Sequence, residues 1–130
     1  MFDNQKTLAA LDKFIHVVEE LRSDHGCPWD KEQTHQSLRK NLLEESHEVI
    51  EAIDSNDMEH LKEELGDLLL QIVFHAKLAE QEGAFNFNDV VVTVSLALEN
   101  FKCFGFITGS DNTVGNLALN EFCGCYITYI

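Results

Sequence analysis

Apolar residues at positions 8, 11, 14, 15, 18 and 21 recur at helical spacing and predict a helix over Thr7–Arg22. The stretch "SDHGCPWDKEQTH" then breaks the pattern, carries the only proline, and predicts a loop. A second amphipathic run over Ser37–Ile53 has apolar residues at 38, 42, 43, 49, 50 and 53. "DSND" follows as a turn, in which Asn56 and Glu59 have the spacing of a capping box. A third run, Met58–Gln81, aligns Leu61, Leu65, Leu68, Leu69, Ile72, Val73, Ala76 and Ala79, and Gly83 is placed to stop it. A fourth begins near Asn88 and continues through Val90, Val91, Val94 and Leu98, although its "VVVTV" run also suits a strand. Beyond Phe101 no period is visible. Residues 103–130 hold no Lys or Arg, three of the four cysteines, four of the seven glycines and both tyrosines. The pattern predicts an all-α domain over residues 1–101, built around a helical hairpin, and an atypical segment over 102–130.

A length of 130 residues fits one domain, and 45% hydrophobic residues suffice for a core. Charge narrows the partners. The formal net charge of −14 argues against nucleic acid and anionic membrane surfaces. It leaves room for a small phosphorylated ligand, because a bound cation reverses the local field. No apolar run is long enough to span a membrane. "MFDNQKTLAAL" lacks a basic start followed by an apolar stretch, so no secretory signal is expected. The cysteines, at 27, 103, 123 and 125, form no evident disulfide framework. Cys123, Cys125 and Cys103 lack a fourth metal ligand nearby. The expectation is a cytoplasmic protein with reduced thiols.

The second and third helices hold the candidate chemistry. With Glu44 set at zero on a helical wheel, Glu48 falls at about 40°, Glu51 at about −20° and Glu45 at about 100°. The apolar arc of that helix runs from about 120° to about 260°, so Glu45 borders it. On the third helix His60, Glu64, Asp67, Gln71 and His75 form a polar stripe beside the core face. Antiparallel packing of the two helices would bring Glu45 and Glu48 near Glu64 and Asp67. Like charges at helical neighbour spacing repel by about 0.2–0.5 kcal/mol per pair; Lys40 can offset Glu44, and Lys62 is the only Lys or Arg close to Glu64 in sequence. A hard divalent cation with oxygen ligands would relieve the cluster, and Mg2+ accepts carboxylates, waters and phosphates together. Glu51, Glu59 and Glu63 are read as solvated, and His16, His25 and His35 as surface or packing residues.

Glu44-Glu45-x-x-Glu48, fifteen intervening residues, and Glu64-x-x-Asp67 resemble the signature of MazG-type nucleoside triphosphate pyrophosphohydrolases, of the all-α NTP pyrophosphatase superfamily. "GCPWDKEQTHQSL" and "EELGDLLLQIVFHAKLAEQEG" are similar to the same family's N-terminal domain. The resemblance spans roughly Leu8 to Val94. It implies Mg2+-dependent (or Mn2+-dependent) hydrolysis of a nucleoside triphosphate, with water attacking the α-phosphorus to give a nucleoside monophosphate and pyrophosphate. It implies Glu45, Glu48, Glu64 and Asp67 as metal ligands, with Asp67 also reaching substrate. Glu44 and Glu45 would be the catalytic acids, Glu44 supporting the ligands or orienting the water. Trp29 can stack on a base or pin its loop. Lys31 can meet a phosphate or lie in solvent. Asn41 can bond a substrate oxygen or be solvated. The resemblance also implies four-helix bundles formed across a homodimer or higher homo-oligomer.

In that family the fourth helix continues into a basic stretch and His-Pro-His-Val-Phe. Here the chain reads "SLALENFKCFGFITG", and Lys102 is the only cation after Lys77. Two alternatives follow. One is a weakly active or inactive copy serving as a dimerisation or nucleotide-sensing module. The other is a di-iron carboxylate bundle, prompted by Glu44-x-x-His47.

Overall fold

The computed structural model describes residues 3–107, with side chains described as far as residue 98. All regular elements among them are helices: α1 (Asn4–Leu21), α2 (Pro28–Glu32), α3 (Arg39–Asp54), α4 (Met58–Gln81) and α5 (Phe87–Ile107). The valine run at the start of α5 is therefore helical. The helix runs through the compositional change at residue 101. The expected segment 102–130 lies outside the described residues from 108 onward, and the side chains of Lys102 and Cys103, like Cys123 and Cys125, are outside them too.

Local chemistry sets the helix ends. The Asp3 carboxylate accepts from Lys6 N–H and caps α1. α2 lies within the stretch expected to be a loop. Its proline occupies the first turn, where a missing N–H costs nothing. Gly26 precedes it and presses on the end of α1, where any side chain would strike the carbonyl oxygens of Leu21 and Glu20. Arg22 fastens this region. Its guanidinium donates to the Asp30 and Gln33 carbonyls and to Gln81 Oε1 at 2.8 Å, and it lies 5.4 Å from the Phe74 ring centroid. Burial holds the Arg22 pKa below its ordinary value, with Asp30 opposing.

α3 and α4 form the hairpin. The expected capping box at Asn56 does not occur. Asn56 instead adopts φ 55°, the left-handed residue that closes α3, with Asp57 N–H bonding Ala52 O at 3.2 Å. Asp57 caps α4, its Oδ1 accepting from the N–H groups of Glu59 and His60 at 3.1 and 3.0 Å. Gly83 ends α4 as expected, at φ 73°.

The core gathers at one end of this hairpin. Val18, Leu38, Val73, Phe74 and Leu78 form it, with Phe14, Ile15, Leu70 and Phe87 against it. The expected apolar arc of α3 is largely uncovered: Leu43 is 71% exposed, Ile50 54% and Ile53 52%. Leu65, Leu69 and Ile72 of α4 are exposed as well. The side of α3 turned to α4 is instead the one carrying Leu38, Glu45, Val49 and Ala52, so the hairpin buries a face rotated by roughly 80° from the most apolar one. The described residues up to Phe87 form one compact unit, and those from Asn88 belong to a second.

Candidate metal centre

The rotation of α3 directs acids into the hairpin. Carboxylate oxygens of Glu45, Glu48 and Glu64 all lie within 4.8 Å of one another. Glu64 is buried, at 9% exposure, Glu45 is half-buried and Glu48 is exposed. His60 Nε2 lies 2.9 Å from Glu64 Oε1, one helical turn away, whereas Glu64 Oε2 is buried without a hydrogen-bond partner.

The electrostatics agree with the crowding. Burial raises the Glu45 pKa above the usual carboxylate value, and Asp67, Glu48, Glu64 and Glu44 add to it. Burial also raises that of Glu64, with Glu48 next in weight, while His60 pulls the other way. Both groups thus sit where a negative charge is resisted. Three converging carboxylates and an orphaned buried oxygen fit a hard divalent cation, which takes oxygen donors and flexible coordination.

The other residues singled out from sequence occupy varied places. Asp67 stands outside the 4.8 Å group, on an exposed position, yet close enough for its charge to act on Glu45 and Glu64. Glu44 faces solvent and pairs with Lys40 at 3.1 Å. His47 also faces outward, 4.0 Å from Glu51, so the Glu44-x-x-His47 element points away from the carboxylates. Trp29 on α2 is 57% exposed, and its carbonyl accepts from Gln33 Nε2. Lys31 Nζ donates to the Asp24 carbonyl at 3.2 Å and lies 3.7 Å from its carboxylate. Asn41, on α3, is half-buried.

One pairing was hidden from the sequence. His35 Nδ1 and His75 Nδ1 are 2.7 Å apart, with ring planes 6° from parallel and centroids 5.0 Å apart. Nearly parallel planes whose atoms approach this closely cannot be a full stacking distance apart. The rings therefore meet at their edges and share one proton between the two nitrogens. Burial, then His35, lowers the His75 pKa, which favours a neutral ring. The only sequence signal was the polar stripe on α4 that contains His75. Its partner is 40 residues away and showed none.

No helix among the described residues is long and apolar enough to cross a membrane, and Cys27 is a free thiol. Residues 33–99 match the family profile described as the MazG nucleotide pyrophosphohydrolase domain. The chain is 50% identical over 84 residues to the Nucleoside triphosphate pyrophosphohydrolase/pyrophosphatase MazG of Thermotoga maritima, covering 65% of this chain and 33% of that protein. It is 46% identical over 90 residues to the Nucleoside triphosphate pyrophosphohydrolase of Escherichia coli, covering 68% of this chain and 34% of the relative. Against the Uncharacterized protein YabN of Bacillus subtilis it is 51% identical over 82 residues, 63% of this chain and 17% of the relative. The chain thus spans about a third or less of the length of these relatives.

Proposed function

Because the chain belongs to the MazG nucleotide pyrophosphohydrolase domain family, we propose that it hydrolyses nucleoside triphosphates to a nucleoside monophosphate and pyrophosphate, at the mouth of the α3–α4 hairpin. The observation that carries this reading is the convergence of Glu45, Glu48 and Glu64 around a buried oxygen without a partner. Glu45, Glu48 and Glu64 would hold the cation, with Asp67 completing the set from the next turn of α4. When bound, Mg2+ (or Mn2+) supplies neutralisation of phosphate charge and acidifies water.

The chain's own residues do the rest. In the reaction, the water oxygen bonds the α-phosphorus as the bond from phosphorus to the bridging oxygen breaks. Pyrophosphate leaves with that electron pair, and the water's proton passes to a carboxylate. Glu45 would act as a ligand in its ionised form, the cation offsetting the burial and the four neighbouring acids that raise its pKa in the metal-free protein. Glu44, paired with Lys40, sits beside it and would orient water at the rim. Trp29 offers an exposed ring to a base. Lys31, tied to Asp24, can exchange that contact for a phosphate, and half-buried Asn41, one turn before Glu45, can bond a substrate oxygen. A role in clearing unwanted nucleotides in the cytoplasm, and a domain over residues 1–101, belong to the same proposal.

The exposed apolar residues of α3 and α4 extend it to assembly. Two copies packed through them would complete a four-helix bundle. The alternative of an inactive copy rests on "SLALENFKCFGFITG", which stands where the family's fourth segment continues into a basic stretch. The deciding measurement is pyrophosphate release from a panel of nucleoside triphosphates with Mg2+, run beside Glu45→Gln. The parent should be active and the variant reduced by at least about 100-fold. No release by the parent from any triphosphate would reject the enzyme, and equal rates in both proteins would reject the site.

A further inference from the structure

Three side-chain atoms in the described residues are buried without a hydrogen-bond partner: Glu64 Oε2, Gln71 Oε1 and His75 Nε2. All three lie on α4. At about 100° per residue Gln71 and His75 fall within about 20° of Glu64, on the same stripe of the helix. Gln71 is about 10.5 Å beyond Glu64 along the axis, and His75 about 6 Å further. Gln71 is as buried as a core residue, at 8% exposure, and its neighbours Val73 and Phe74 are core. A leucine or methionine there would extend the apolar cluster. A glutamine instead leaves a carbonyl acceptor unsatisfied, in line with the carboxylates and two helical turns from them.

Resting on the proposed triphosphate reading, we propose that Gln71 is a specificity-determining residue: its carbonyl accepts a hydrogen bond from the nucleoside part of the substrate while the phosphates lie at Glu45, Glu48 and Glu64. The spacing fits, since two helical turns are about the reach from the phosphates of a nucleoside triphosphate to its sugar and base. The row ends at His75, whose Nδ1 is committed to His35. That bond holds the ring and leaves Nε2 as a further buried polar atom without a partner. Buried polar groups left unpaired discriminate strongly against ligands that cannot satisfy them, which is the use this glutamine would serve.

The test is Gln71→Met, with Gln71→Leu as a second variant, in steady-state hydrolysis of the four ribonucleoside and four deoxyribonucleoside triphosphates with Mg2+. Melting temperatures are recorded in parallel. The expected result is a KM raised about tenfold for the triphosphates the parent prefers, with kcat within about twofold. Melting should be unchanged or higher, because an unsatisfied buried carbonyl has been removed. A loss that follows the base, equal for ribose and deoxyribose, assigns the bond to the base. A loss confined to ribonucleotides assigns it to the 2′-hydroxyl, and one shared equally by all eight would overturn the specificity role. Unchanged KM values and preferences in both variants would overturn the inference while leaving the enzyme reading intact. A loss that merely tracks a fall in melting temperature would overturn it too. A parent inactive on every triphosphate would remove both readings together.

Discussion

Glu64 illustrates how one residue can work against the fold it sits in. Its carboxylate is buried beside Glu48, one oxygen has no partner, and burial raises its pKa. A raised folded-state pKa means that the native protein holds the proton more tightly than the unfolded chain. Its stabilising effect is therefore fully present below the ordinary value of 4.5 and is lost as pH rises through the folded-state value. In chelator, Glu64→Gln should melt at a higher temperature than the parent at neutral pH. That advantage should shrink as pH falls towards 4.5, where the parent's carboxyl is protonated anyway. Adding Mg2+ should raise the parent's melting temperature by mass action and move the variant much less. Thermal melts across pH 4.5–7.5, with and without metal, check both signs. A variant less stable than the parent at neutral pH would show that the His60 contact outweighs the repulsion.

At the scale of elements, the α3–α4 connection shows what a sequence does and does not disclose. The amphipathic periods placed α1, α3 and α4 to within a few residues, because helical spacing of apolar residues is written locally. The α2 turn was missed because only five residues form it and contacts from Arg22 hold it in place. Asn56 and Asp57 are adjacent cap formers, and composition alone could not rank them. The left-handed backbone of Asn56 decides the matter, leaving Asp57 to cap. Asp57→Ala should cost about 1 kcal/mol, or about 4 °C in melting temperature. Asn56→Gly should be close to neutral, since glycine adopts the same backbone freely. Equal losses in the two variants, measured by thermal or urea unfolding, would contradict this division. The acids were legible in the same uneven way. Spacing brought out Glu45, Glu48 and Glu64, but which side of α3 turns inward depends on packing with α4. Hence the expected core arc and the observed buried face differ, and Asp67 stands outside the tight group.

At the scale of the whole molecule, the same rotation leaves an account open on the outside of the hairpin. Leu43, Ile50 and Ile53 of α3 and Leu65, Leu69 and Ile72 of α4 are all exposed. Large contiguous apolar patches are uncommon on soluble monomers and mark interaction surfaces. A second hairpin laid on this one would bury both sets and give each helix the two apolar neighbours that a four-helix bundle provides. If a dimer forms this way, folding and association are linked, and the melting temperature rises with protein concentration. Ile50→Glu places a charge at the centre of the patch without touching Glu45, Glu48 or Glu64. The expected outcome in sedimentation velocity is a dimeric parent and a monomeric variant, with the concentration dependence of melting lost in the variant alone. A parent that sediments as a monomer at micromolar concentration would remove the proposed interface. A variant that stays dimeric would move it to another surface. In the expected case the apolar arc that the hairpin leaves uncovered is the price of turning Glu45 inward: α3 can present its acids to α4 because a second copy covers the face that α4 does not.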